Sequence, residues 1–234
     1  MNIVLDILIT FAAYVLGSIP FGLLIVKLKT GKDIRTVESG RTGGTNALRA
    51  AGLGAGLLTA LMDILKGAAA VWLARAAAPQ EAWLQVVAPI AAILGHNYSI
   101  FLPDRDEKGR IVRLRGGAGG APALGGALGL WAPSALIVLP LGAIVFFTLG
   151  YASITTMSVA LFATIVFAVG AFQGMPWVNV LYGMAAEGLL IWALRPNLRK
   201  LLEGRERVVS ISLHGHIKAK REKETAAEAV REMD

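Results

Sequence analysis

Apolar residues fall into blocks along this chain, and polar residues gather between the blocks. Stretches with little or no charge occupy 3–26, 56–74, 83–102, 119–131, 134–149, 157–172 and 177–194. Several approach the ~20 residues that a helix needs to cross a bilayer, and Gly, Pro or charged residues mark their ends. The pattern predicts an all-α integral membrane protein with about seven transmembrane helices. Block 119–131 is the weakest: Gly125, Gly126 and Gly129 lower its helix propensity and Pro133 ends it, so five or six spans also fit. The blocks form one membrane domain over 1–206, followed by a polar tail over 207–234 whose charges and alanines suit a cytoplasmic helix or a disordered end.

Composition agrees with the blocks: mean hydropathy is +0.61, with 55% hydrophobic and 17% charged residues. Charge then sets orientation. Of 23 Lys and Arg, six lie in 27–49, five in 105–115 and ten from 195 onward, leaving Lys66 and Arg75. With seven spans, the three basic segments share one side, which the positive-inside rule makes the cytoplasm. The N-terminus is then outside, the C-terminus cytoplasmic, and the chain multi-pass in the cell (plasma or inner) membrane. The net charge of +7 reads as a topology signal and an attraction for membrane lipids, with no nucleic-acid partner. The first block lacks a basic n-region and a small-residue cleavage site and reads as a retained helix. With no cysteine there is no disulfide, thiol nucleophile or thiolate metal site.

The polar segments carry the candidate chemistry. Ser39-Gly40-Arg41-Thr42-Gly43-Gly44-Thr45-Asn46 lies between the first two blocks. Its glycines let backbone N–H groups converge on an anion ahead of a helix start. Alone, such a loop is as readily a flexible connector. Thr45 or Asn46 is expected to cap a short helix that places Arg49 one turn beyond the cradle. A second glycine loop, Arg115-Gly116-Gly117-Ala118-Gly119-Gly120, leads into the fourth block on the same face. Asp63 and Lys66, three residues apart inside the second block, read either as an internal ion pair or as functional groups, since ionisable residues there are costly. Glu187 is a candidate partner for Lys66 or Arg49. His96 reads as a satisfied helix-end histidine, and His214 with His216 are too few for a closed metal site.

Seven strings occur in a familiar order: GSIPFGLLI at 17–25, SGRTGGTNALRAAG at 39–52, DILKG at 63–67, GHNYSIFL at 95–102, RGGAGG at 115–120, GYASITT at 150–156 and NLRKLLEGRE at 197–206. Together they resemble the bacterial acyl-phosphate:glycerol-3-phosphate acyltransferases, the PlsY type. The resemblance implies a seven-helix inner-membrane enzyme of phospholipid synthesis. Its reaction would move a fatty acyl group from acyl phosphate to the 1-hydroxyl of sn-glycerol 3-phosphate, giving lysophosphatidic acid. It implies no metal or other cofactor, and an upstream acyl-phosphate-forming enzyme as a possible partner. By the same resemblance Ser39, Arg49 and Lys66 are catalytic. Substrate binding is implied for Gly40, Gly43, Thr45 and Asn46 in the first loop, and for Arg115, Gly116, Gly117 and Gly119 in the second. It is also implied for Ser153 and Thr156 in a short loop after the fifth span, and for Asn197 after the last. The chain departs from the pattern where a lysine is replaced by Ala118, a threonine by Pro122, a histidine by Leu194 and an arginine by Lys200; Arg113 and Arg115 are candidate replacement cations. Its 103–115 loop is also longer and more charged.

Acyl phosphate is a mixed anhydride with a good leaving group, so its site needs anion binding and positioning more than acid–base help. The chain offers that balance. It has no Gly-x-Ser-x-Gly elbow, and Phe101 stands where a His-x-x-x-x-Asp pair starting at His96 needs its acid. Two alternatives stay open. One is a divergent or inactive relative that uses another phosphorylated substrate or serves as a regulatory partner. The other is a transporter of a phosphorylated metabolite, although no repeated halves are evident and the polar residues gather at one face.

Overall fold

Each apolar block contains helix, and the departures fall where Pro or Gly interrupts it. The structure is a computed structural model and describes residues 2–231. The helices are α1 (Ile3–Ser18), α2 (Phe21–Thr30), α3 (Gly44–Ala51), α4 (Leu53–Ala77), α5 (Ala82–Asn97), α6 (Gly120–Leu130), α7 (Ser134–Leu149), α8 (Ala152–Phe172), α9 (Val178–Leu202) and α10 (Leu213–Arg231). Ile3–Thr30, Leu53–Ala77 and Ala152–Phe172 are long and apolar enough to cross a membrane, whereas α6 and α7 are shorter. At 1.5 Å per residue the 11 residues of α6 reach only about 16 Å, roughly half the hydrocarbon thickness.

The first block is two helices, not one. Pro20 supplies no N–H and becomes the N-cap of α2, so the chain breaks at Ile19. The carbonyls exposed there are used: Ser18 O accepts from Ser99 Oγ at 2.6 Å, and Ile19 O accepts from Lys66 Nζ at 2.9 Å. At the other end of the chain, α9 runs on to Leu202 with Pro196 inside it, eight residues beyond the expected end. The carbonyl that Pro196 leaves without a helical donor, Trp192 O, accepts from Arg195 Nε at 2.9 Å.

The glycine-rich block 119–131 is helical because packing outweighs propensity. A Cβ on Gly125 would lie 2.0 Å from Ile64 O, and one on Gly67 would lie 2.3 Å from Pro122 O. Helices α4 and α6 therefore touch backbone to backbone, as small residues permit in membranes. Helices α1 and α5 use the same device at Gly17 and Gly95. Around this frame Val86, Ile93, Leu124, Phe167, Tyr182 and Leu190 form the main core, and the Tyr182 hydroxyl donates to Ala123 O at 2.6 Å. Outward-facing Phe11, Leu136 and Phe172 present an apolar surface suited to lipid.

The all-α expectation is corrected at one place. Residues 103–114 form an antiparallel hairpin, β1 (Pro103–Arg105) and β2 (Ile111–Leu114), closed by a turn with Gly109 at φ 76°. The tail after α9 folds back along the membrane domain. Val209 N donates to Gly150 O at 2.8 Å and Val208 bridges Tyr151, before α10 begins.

Candidate active site

The loop between α2 and α3 is held from within. Asp33 caps the turn at Ile34–Thr36 and pairs with Arg35 at 2.7 Å, and that guanidinium keeps the Asp33 carboxyl below its usual range. Gly40 takes φ 65°, where an L side chain is strained and a Cβ would press on Arg35 O at 3.0 Å. Asn46 then ties the loop together, its Nδ2 donating to Ile34 O at 3.2 Å, Val37 O at 3.0 Å and Arg41 O at 2.8 Å. The expected cap is corrected here. Gly43 is the N-cap of α3, without a side-chain bond, because Thr45 and Asn46 lie one and two residues inside the helix. The N–H groups of Gly44 and Thr45, both at the cavity, are thus left without a helical acceptor, while Asn46 N donates to Gly43 O at 3.1 Å.

That cavity measures about 450 Å³. Three helix N-termini meet at its polar end: α3 through Gly44 and Thr45, α6 through Gly119 and Gly120, and α8 through Ser153 and Thr156. Each brings unpaired amide N–H groups and the positive end of a helix dipole. Helix α9 adds Asn197 and Lys200, and the returning tail adds Arg205, Glu206 and Arg207. Apart from Asp63 and His96, the remaining walls are mostly apolar, with Leu57, Ile64, Leu124, Leu139, Phe146 and Val159. One end suits anionic groups and the other an acyl chain.

The charges at the polar end are unevenly paired. Glu38 pairs with Arg207, and Arg205 with Glu203. The Glu206 carboxylate accepts from Ser153 Oγ at 2.5 Å. Arg49 makes no hydrogen bond or ion pair among the described residues; burial pulls its pKa below the usual arginine value, and Glu206 offsets part of this. Arg41 has no carboxylate partner among the described residues either. It donates from Nη1 to Gly117 O at 2.9 Å and from Nη2 to Ala193 O at 2.6 Å and Asn197 Oδ1 at 3.3 Å. Burial is likewise the main cause pulling its pKa down. Both stay cationic at physiological pH.

Of the residues named from sequence, Ser39, Gly43, Thr45, Asn46, Arg49, Gly119, Ser153, Thr156 and Asn197 line this one cavity. Three of these residues differ from expectation: Ser153 and Thr156 sit in the first two turns of α8, not in a loop, and Asn197 lies within α9. Gly40, Lys66, Arg115, Gly116 and Gly117 stand behind the wall. Lys66 forms the internal ion pair with Asp63 at 2.7 Å, and Asp63, itself at the cavity, lies 3.5 Å from His96 Nδ1. Glu187 pairs with neither Lys66 nor Arg49; its Oε2 is buried without a hydrogen-bond partner among the described residues. Arg115 turns away to Asp104, both of whose oxygens lie 2.7 Å from its Nε, and this contact, ahead of Arg113, keeps the Asp104 carboxyl below its usual range. Gly116 O accepts from Thr42 N at 3.2 Å, and Gly117 N donates to His96 O at 2.8 Å, so these glycines join the two loops. A Cβ on Gly117 would meet the His96 ring.

Arg41, Asp63, His96 and Glu206 line the cavity although none is assigned to the substrate site from sequence, which reads Asp63 as half of an ion pair or a functional group and His96 as a helix-end histidine. The Asp63–Lys66 spacing pointed at the first of the acids. Nothing in local spacing shows Arg41 reaching residues 76 and 152 positions away.

The family model described as glycerol-3-phosphate acyltransferase matches residues 7–204. A glycerol-3-phosphate acyltransferase from Rubrobacter xylanophilus is 37% identical over 203 residues, covering 87% of this chain and 94% of its own. One from Thermus thermophilus is 38% identical over 195 residues, covering 83% and 90%. The crystal structure of PlsY, an integral membrane glycerol 3-phosphate acyltransferase, in its glycerol 3-phosphate form aligns with a TM-score of 0.74 at 31% identity, over 87% of this chain and 95% of PlsY. Its lysophosphatidic acid form aligns with a TM-score of 0.71 at 30% identity, over 88% of this chain and 96% of PlsY. With sequence and structure matched over nearly the same length, the chain belongs to the glycerol-3-phosphate acyltransferase family.

Proposed function

We propose that this protein transfers a fatty acyl group from acyl phosphate to the 1-hydroxyl of sn-glycerol 3-phosphate, releasing lysophosphatidic acid and inorganic phosphate. It does so as a multi-pass protein of the cell membrane with seven membrane segments, the N-terminus outside and the cavity open to the cytoplasm. The observation that carries the chemistry is the convergence of three helix N-termini with Arg41 and Arg49, neither ion-paired among the described residues, at one end of a largely apolar cavity. Such an end binds phosphate, and the apolar walls accommodate the acyl chain.

In this reading the glycerol oxygen attacks the acyl carbonyl carbon, the bond from that carbon to the phosphate oxygen breaks, and phosphate leaves with the electron pair. The hydroxyl proton ends on the released phosphate. Arg49, Ser39, Thr45 and the open N–H groups of α3 hold one phosphate. Gly119, Thr156 and Asn197 face the other with the first turns of α6 and α8. These groups act where charge develops on the leaving phosphate, in a site already shaped for it. Asn46 Oδ1, buried at the cavity without a partner, is an acceptor for a glycerol hydroxyl. Lys66, Gly40, Arg115, Gly116 and Gly117 contribute by positioning: Lys66 holds Asp63 and the glycines hold the two loops together. Ser153 fastens Glu206 beside this end.

The test is purified protein in lipid vesicles supplied with acyl phosphate and sn-glycerol 3-phosphate. Lysophosphatidic acid and phosphate are expected to appear in equal amounts. Arg49→Ala should lower kcat/KM by roughly 10- to 150-fold, the size of one charged hydrogen bond. Equal product from Arg49→Ala counts against the assignment, and product from acyl-CoA in place of acyl phosphate reassigns the donor. Accumulation of glycerol 3-phosphate inside vesicles without product favours the transporter alternative.

A further inference from the structure

Arg41 stands at the phosphate-binding end of the cavity without an assignment to either phosphate, and its setting is unusual. Its own carbonyl is held by Asn46 Nδ2 at 2.8 Å, so the backbone is fixed where the side chain departs. The guanidinium crosses to two further elements, reaching the carbonyls of Gly117 and Ala193. The residues that follow these carbonyls, Ala118 and Leu194, line the cavity and bring no charge. Arg41 thus brings a positive charge to the side of the cavity formed by the second glycine loop and α9, where Lys200 of α9 also lies.

A brace between neutral acceptors needs no charge. A desolvated guanidinium without a carboxylate is costly, and a bound anion relieves that cost. The three bonds come from Nη1 and Nη2, and Nε–H has no acceptor among the described residues. Asn197 offers its Oδ1 to Arg41, which turns its amide hydrogens away from the guanidinium and leaves them as donors. Two donors of this kind, one charged, suit a phosphate monoester.

We propose that Arg41 is a second phosphate-binding residue, holding with Asn197 one of the two phosphate groups while Arg49 holds the other. This rests on the proposed function and names a ligand within that site. Both candidate ligands, glycerol 3-phosphate and acyl phosphate, share the phosphate monoester chemistry, and separate KM measurements tell them apart.

The experiment compares wild type, Arg41→Gln and Arg41→Lys in three readouts: melting temperature, calorimetric binding of sn-glycerol 3-phosphate without donor, and steady-state KM for each substrate. Arg41→Gln is expected to fold and to raise the KM of one phosphate substrate by about tenfold or more, with a smaller change in kcat. A rise for glycerol 3-phosphate, matched by weaker calorimetric binding, assigns Arg41 to the acceptor; a rise for acyl phosphate alone assigns it to the donor. A folded Arg41→Gln with both KM values and binding unchanged makes Arg41 a brace and overturns the proposal. Should Arg41→Gln not fold, Arg41→Lys decides. Retention of both KM values within about threefold supports a role for charge, and a tenfold rise in a folded lysine variant points to the brace. Wild type that binds glycerol 3-phosphate without turnover, with binding weakened in Arg41→Gln, overturns acyl transfer and keeps Arg41. Wild type that binds neither glycerol 3-phosphate nor orthophosphate overturns both.

Discussion

Asn46 organises the first loop through hydrogen bonds that its place in the first turn of α3 does not announce. One amide nitrogen faces three carbonyls, from Ile34, Val37 and Arg41, and the residue is buried. Asn46→Ala leaves the Arg41 carbonyl without its donor and the Ile34 and Val37 carbonyls with their backbone donors alone, and should cost about 1–3 kcal/mol of stability. Asn46→Asp keeps the shape but replaces the donor by a charged acceptor pointed at carbonyl oxygens, so it should be at least as damaging. Melting curves in detergent check the order; an aspartate variant as stable as wild type would show that the loop is held elsewhere. At this scale the sequence showed which residues matter better than how they act. Asn46 and Arg49, expected at the site from their motif, do line the cavity, whereas Lys66 stands behind its wall in the ion pair that its spacing from Asp63 allowed. The long-range contacts were not legible: Lys66 also donates to the Ile19 carbonyl 47 positions away, exposed only by the break before Pro20. Arg115, read as a loop cation, is paired by an Asp104 that only the hairpin brings near.

Among the elements, α6 shows why propensity alone under-reads a membrane helix. Three glycines made it the weakest predicted span, yet Gly125 and Gly129 are what lets α4 approach, and Gly126 makes room for Tyr182. Gly125→Ala puts a Cβ 2.0 Å from Ile64 O, a backbone atom that cannot swing aside. The helices must part, which is expected to cost about 1–3 kcal/mol and to lower turnover, because α6 carries Gly119 and Gly120 into the site. Gly188→Ala is the matched control: its added Cβ meets nothing within 4 Å, so stability should stay level or rise. Thermal melts of the two variants, with lysophosphatidic acid formation as a second readout, separate packing from propensity. Equal effects would mean that helix formation, not the interface, dominates. The hairpin was legible in principle, since Asp106 to Gly109 is a turn sequence followed by Ile111 and Val112, residues that favour strands.

Across the whole molecule, block positions were readable while the meeting of three helix N-termini was not. The two glycine loops lie about seventy residues apart, and the α8 terminus carries no glycine signature, so only the packed bundle brings them together. Charge, by contrast, was readable at this scale, and it makes a prediction about sidedness. The cavity-lining loops, the hairpin and α10 belong to the three segments that hold 21 of the 23 Lys and Arg, whereas the connections near 76–82, 132–133 and 173–176 hold none. A cytoplasmic cavity requires the first group to lie inside and the second outside. The absence of cysteine makes this measurable, because every introduced thiol is unique. Gln80→Cys and Gln173→Cys, both at exposed positions, should react with a membrane-impermeant maleimide in intact cells. Lys108→Cys in the hairpin turn and Lys218→Cys on α10, also exposed, should react only after permeabilisation. Labelling of Lys108→Cys from outside would turn the cavity away from the cytoplasm. Labelling of Gln80→Cys and Gln173→Cys on opposite sides would instead change the number of crossings between α4 and α9, with the 11-residue α6 the first segment to reconsider.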